Sequence, residues 1–96
     1  MSVYFIAELR VHDRAAYQRY LDDFDDAFEG TGGEVLLVDE SPTVLEGSWP
    51  YTRVILIRFP DEASLRKWYD SDAYRRLRAI RWHAADGPVI IAHQEE

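Results

Sequence analysis

A chain of 96 residues with a formal net charge of −7 is long enough for one hydrophobic core and not two, and its acidity excludes a general nucleic-acid binder, which needs a basic surface for phosphates. With 47% hydrophobic and 14% aromatic residues it is well supplied for packing, which excludes extensive disorder. The lack of cysteine removes disulfides, thiolate nucleophiles and cysteine-based zinc sites together, and the apolar runs are strand-sized, too short to span a membrane.

The first residues run straight into Val3-Tyr-Phe-Ile-Ala7, with no basic n-region or small-residue cleavage site, so a cytoplasmic protein is expected. Residues 3–11 read as a strand with Val3, Phe5, Ala7, Leu9 and Val11 on one face and Tyr4, Ile6, Glu8 and Arg10 on the other. Asp13 is a helix cap. Tyr17, Tyr20, Leu21, Phe24 and Phe28 then form the apolar stripe of a helix that the glycines at 30, 32 and 33 bring to an end. Residues 34–39 form a second strand, which Ser41-Pro42 breaks or bulges before a short continuation over residues 43–45. In Glu46-Gly-Ser-Trp-Pro50 the proline keeps Trp49 out of the α region, so that ring is held on a turn.

Residues 53–59, Arg-Val-Ile-Leu-Ile-Arg-Phe, are β-branched and apolar at the centre, a third strand that Pro60 stops. Asp61 caps a helix whose buried side carries Leu65, Trp68 and Tyr69, and Ser71 with Asp72 caps a further segment in which Ala73, Leu77, Ile80 and Ala84 keep helical spacing. Gly87-Pro88 ends it, and residues 89–92 make the last strand.

The order β-α-β-β-α-β over a single domain, residues 1–96, predicts an α+β, ferredoxin-like fold with a four-stranded antiparallel sheet. Helices of that fold cover one face of the sheet. Ile6, Leu36, Val38, Ile55 and Ile57 are read as a dry second face, for which a second subunit is the expected cover.

Tyr4-Phe-Ile, Tyr17, Tyr20, Gly33, the turn from Val44-Leu-Glu-Gly47 to Trp49-Pro50, Phe59-Pro60, Trp68-Tyr69-Asp70-Ser71, Tyr74 and Arg81 occur in an order and spacing that resembles the family catalogued as domain of unknown function 1330. The resemblance spans essentially the whole chain. It implies membership of the dimeric α+β barrel superfamily, in which two sheets pack face to face across a two-fold axis. That superfamily holds cofactor-independent monooxygenases, isomerases, haem enzymes and proteins of no known activity, so it does not choose a function.

Candidate chemistry is sparse. His12, His83 and His93 are the side chains that titrate near neutrality; His83, two residues after Arg81, is the one placed to act as an acid, base or ligand group. His83 and Asp86 are too few for a metal site, and the Asp22-Asp23, Asp25-Asp26 cluster lacks the pattern of a calcium loop, so no metal is expected. Gly30-Thr-Gly-Gly33 follows a helix and does not lead into one, so it is no phosphate cradle, and no cofactor is expected. Residues 1–50 hold eleven acids and three arginines, and residues 51–96 seven acids and eight bases, with six bases between Arg66 and Arg81.

Arg81, which the resemblance also marks, either pairs with an internal carboxylate such as Glu46 or holds an anionic ligand. Tyr69, Tyr74 and Trp49 line that pocket or belong to the core, and Tyr74 joins His83 as a candidate for chemistry. The expected protein is a homodimer with a small-molecule cleft between helices and sheet. It is a cofactor-independent enzyme on a small anionic or aromatic metabolite, or else a non-catalytic ligand-binding or stress-related module.

Overall fold

The structure, a computed structural model, describes residues 1–95. Strand β1 (Val3–Val11) is followed by α1 (Arg14–Phe28), β2 (Glu34–Asp39), β3 (Arg53–Phe59), α2 (Glu62–Tyr69), α3 (Asp72–Ala84), a two-residue bridge β4 (Ala85–Asp86) and β5 (Val89–His93). The sheet is antiparallel in the order β2-β3-β1, with β4 and β5 both on the far side of β1. This is the expected ferredoxin-like order, with the second helical region in two pieces and an added bridge where the chain turns at Gly87-Pro88. Among the described residues no helix is long and apolar enough to cross a membrane.

The helix boundaries follow from local chemistry. Asp13 accepts a hydrogen bond from the Ala16 N–H, Asp61 from that of Ser64, and Ser71 from that of Tyr74, at 3.0, 2.7 and 3.2 Å, so each cap satisfies an N–H that its helix leaves unpaired. Helix α1 ends through Glu29, whose N–H donates to the Asp25 carbonyl, before Gly30 takes a positive φ.

Packing centres on Trp68, which is buried between helices and sheet. Its ring lies 4.1 Å from Tyr74, 5.4 Å from Phe59 and 5.3 Å from Phe5, the last edge to face. Such contacts each add about 0.5–1.5 kcal/mol beyond burial.

Three expectations need correction. Ile55 and Ile57 do not lie on the second face: they pair with Ala7 and Phe5 in register and point at the helices, and Ile57 is only 1% exposed in the single chain. Val38, opposite Ile55, points the same way. The outer face is instead carried by Leu37, Leu56, Ile6 and Ile90, which stand side by side across β2, β3, β1 and β5. The strand continuation at residues 43–45 does not form; residues 40–52 are a loop in which Leu45 is 91% exposed, because β3 begins to pair only at Arg53 and offers no partner there. The irregularity in β2 lies between Val35 and Leu37, not at Ser41-Pro42.

Gly87 closes the fold at a point where no side chain fits. It has φ +147°, and a Cβ there would sit 1.8 Å from the Glu8 carbonyl oxygen. Gly87→Ala is therefore expected to lower stability by at least about 2 kcal/mol, strain and clash combined, measured as a shift in the chemical denaturation midpoint. An unchanged midpoint would show that this junction is loosely packed.

Candidate functional site

Between α1 and the helix-facing side of β2, β3 and β1 lies a cleft of about 330 Å3, within the range that holds a small organic ligand. Its floor is alternate strand residues: Phe5 and Ala7 of β1, Ile55 and Ile57 of β3, Val35 and Val38 of β2. Its wall is the stripe of α1, Tyr17, Tyr20, Leu21 and Phe24. The period of two in the strands and of 3.6 in the helix turns both apolar sets toward one space.

Few polar groups break this lining. Asp25 stands at the exposed mouth, Arg53 enters from the start of β3, and Arg81 enters from the last turn of α3. Arg81 is 4% exposed, and its Nε and Nη2 are buried with no hydrogen-bond partner among the described residues. Burial works against its charge, but the neighbouring Tyr74 and Tyr20 oxygens outweigh this and leave its pKa above the ordinary guanidinium value. It is thus a permanent cation among the lining residues of an apolar hollow, with two donors unpaired among the described residues.

Behind Arg81 the Tyr20 and Tyr74 hydroxyls share a buried hydrogen bond of 2.7 Å that ties α1 to α3. Burial, reinforced by the neighbouring Tyr74 oxygen, pushes the Tyr20 phenol well above its ordinary pKa. Burial also raises Tyr74 and Tyr17, against the opposing charges of Arg81 and Arg53 respectively. All three phenols are neutral at pH 7 and serve as hydrogen-bonding groups, not as bases.

The sequence-derived candidates separate in space. Arg81 lines the cleft. Tyr74, 0% exposed, does not line the cleft, and its hydroxyl bonds that of Tyr20, which does. Tyr69 is half-buried on the other side of Tyr74, with Arg78 stacked 4.3 Å from its ring. His83 is exposed on α3 and Glu46 is exposed in the 40–52 loop; neither lines the cleft, and Glu46 does not pair with Arg81. Trp49 is half-buried edge-on against Tyr51, 5.1 Å between centroids, and it too is outside the cleft. His12 lies 3.5 Å from Asp86 and His93 bonds Glu62 at 2.6 Å, both at the surface. Among the described residues no three His, Cys, Asp or Glu side chains are grouped for a metal ion.

Tyr17, Tyr20, Arg53 and Asp25 are the lining residues that sequence reading passed over as site groups. A signal for Arg53 existed: it shares strand parity with Ile55 and Ile57, so an inward face for these isoleucines carries the arginine inward too.

The sequence matches the family described as Domain of unknown function (DUF1330) over residues 2–94. The chain belongs to the DUF1330 family. No curated protein is significantly similar to it. Solved structures resemble this DUF1330 chain at low identity. A protein of unknown function from Rhodopseudomonas palustris matches with TM-score 0.81 at 20% identity, covering 99% of this chain and 83% of that one. A cofactor-independent oxygenase from Streptomyces nogalater gives 0.71 at 10%, over 99% and 94%. A dimeric ferredoxin-like protein of unknown function from Thermobifida fusca gives 0.68 at 14%, over 98% and 92%. At these identities the likeness establishes the DUF1330 fold and not its activity.

The buried phenols make alkaline stability informative. Their folded pKa values lie above the unfolded value of about 10, so their contribution is complete below pH 10 and is lost as pH rises beyond it. Stability is expected to decline above pH 10, and less so in Tyr20→Phe. At neutral pH Tyr20→Phe leaves the Tyr74 hydroxyl unpaired and costs about 1–3 kcal/mol, whereas Tyr20→Phe with Tyr74→Phe costs less than the single change; denaturant titrations of the two variants check this.

Proposed function

We propose that this DUF1330 member is a homodimeric small-molecule-binding protein whose cleft takes a compact, largely apolar or aromatic ligand and sets an anionic oxygen of it against Arg81. The observation that carries this reading is the buried guanidinium with Nε and Nη2 unpaired at one end of an apolar cleft. A desolvated cation with unused donors costs free energy, and a carboxylate, phenolate or enolate oxygen offsets that cost through charge-assisted hydrogen bonds.

Turnover without a cofactor is the more specific form of the proposal. A fixed cation stabilises negative charge as it develops on a substrate oxygen, the Tyr17 phenol supplies a hydrogen bond, and Asp25 is a carboxylate at the mouth. The fold likeness to a cofactor-independent oxygenase supports that form. The competing form, binding without turnover, is supported by the phenols, which burial keeps from acting as bases.

Two measurements test the site. Arg81→Met keeps the aliphatic stem and removes the cation, so it is expected to weaken binding of 1-naphthoate, read by calorimetry, by about tenfold or more without lowering the melting temperature. A melting temperature lowered by several degrees with binding retained would make Arg81 a structural residue. Incubation with an air-oxidisable dihydroxynaphthalene separates the two forms: product formed faster than by Arg81→Met indicates turnover, and equal rates leave a binding module.

The dimer rests on the outer row Leu37, Leu56, Ile6 and Ile90, of which Ile90 is 53% exposed in the single chain. Polar pairs flank the row, including Glu34 with Arg58. The dimeric ferredoxin-like neighbour supports pairing through this face. Leu56→Glu is expected to give monomer or aggregate in sedimentation, whereas a folded wild-type monomer at micromolar concentration would remove the proposal.

A further inference from the structure

Beside the cleft lies a smaller hollow of about 140 Å3 that shares Tyr17, Leu21 and Arg53 with it, so the two spaces adjoin at these three side chains. Its other lining is unlike the cleft's. Arg14, Gln18 and Thr52 contribute polar groups, with Glu40 as the acid.

Arg53 stands at the junction. Its side chain is 12% exposed, its guanidinium carbon lies 5.3 Å from the centre of the Tyr17 ring, and it pairs with Glu40 at 3.6 Å. Its Nε is nevertheless buried without a hydrogen-bond partner among the described residues. The Glu40 side chain is 59% exposed, so it can turn to water and yield its place to another anion. Tyr17 and Arg81 both line the cleft, and Arg53 lies over the Tyr17 ring.

We infer that the ligand is two-ended: its apolar body lies in the cleft with one anionic group on Arg81, and a second anionic group reaches the annex, where Arg53 and Arg14 hold it. This rests on the cleft binding an anion at Arg81. Arg14, Arg53 and Arg81 against Asp25 and Glu40 leave the combined site at +1, whereas the whole chain is at −7. Without a local site the second carboxylate of a ligand therefore weakens binding through long-range repulsion, and with one it strengthens it.

The test compares 1-naphthoate with the 1,4-, 1,5- and 2,6-naphthalenedicarboxylates by calorimetry on the full chain. At least one diacid is expected to bind about tenfold more tightly than the monoacid, the gain of one charge-assisted contact. Arg53→Gln is expected to bring that ratio below about two. Arg14 is exposed on the first turn of α1, so Arg14→Gln, expected to lower the ratio as well, keeps the test decisive if Arg53→Gln folds poorly. Glu40→Gln removes the competing carboxylate and is expected to raise the ratio. Diacids no tighter than the monoacid, or a ratio unchanged in the Arg14 and Glu40 variants, would overturn the two-ended ligand while leaving Arg81 as a binding group. Failure of 1-naphthoate itself to bind would overturn the cleft reading and this inference together.

Discussion

The hydrogen bond between the Tyr20 and Tyr74 hydroxyls is the joint on which the rest of this structure depends. It links residues 54 positions apart, on α1 and α3, inside a core from which water is excluded. There an unpaired hydroxyl is costly, so the bond specifies one relative placement of the two helices more strongly than apolar packing alone. Helix α1 is the wall of the cleft, and α3 delivers Arg81 into it. The position of the cation relative to the apolar lining is thus fixed by a contact that touches neither solvent nor ligand. Trp68 completes the same joint by packing against Tyr74 on one side and the sheet aromatics on the other.

Arg81 sits at the opposite pole of the energetics. A buried guanidinium with Nε and Nη2 unpaired among the described residues forgoes the hydrogen bonds these donors make in water, although the neighbouring tyrosine oxygens favour its charge. A core formed for stability alone would place a leucine or methionine there. Arg81 leaves two buried donors unpaired among the described residues and Arg53, also at the cleft, leaves one, and such conflicts collect where a protein binds or reacts.

Much of this was legible in the sequence. The caps at Asp13, Asp61 and Ser71, the split second helical region, the strand stripes and the order β-α-β-β-α-β all follow from local rules, because each is decided by residues within a turn or two of one another. The site was legible only in part. Arg81 could be singled out by charge and resemblance, but a partner such as Glu46 could not be tested, since nothing in a sequence measures the distance from a loop to a helix end. Tyr17 and Tyr20 read as members of an apolar stripe, which they are; that they line a hollow depends on how far α1 stands off the sheet. The assignment of Ile55 and Ile57 failed because a strand apolar on both faces carries no mark of which face the helices cover.

The bulge in β2 resolves that ambiguity physically. Val35 and Val38 both face the cleft although they are three residues apart, and Leu37, between them, faces outward opposite Leu56. A regular strand would send Val35 and Val38 to opposite faces. The register shift between Val35 and Leu37 inserts the extra residue that returns Val38 to the cleft side. The uninterrupted run Val35-Leu-Leu-Val38 then supplies two side chains to the cleft floor and one to the outer apolar row. A one-residue slip of β2 would exchange these sets, exposing valines where a partner sheet is proposed and leaving a gap beside the ligand. The two apolar surfaces are therefore coupled through a single backbone irregularity, although they lie on opposite sides of the sheet.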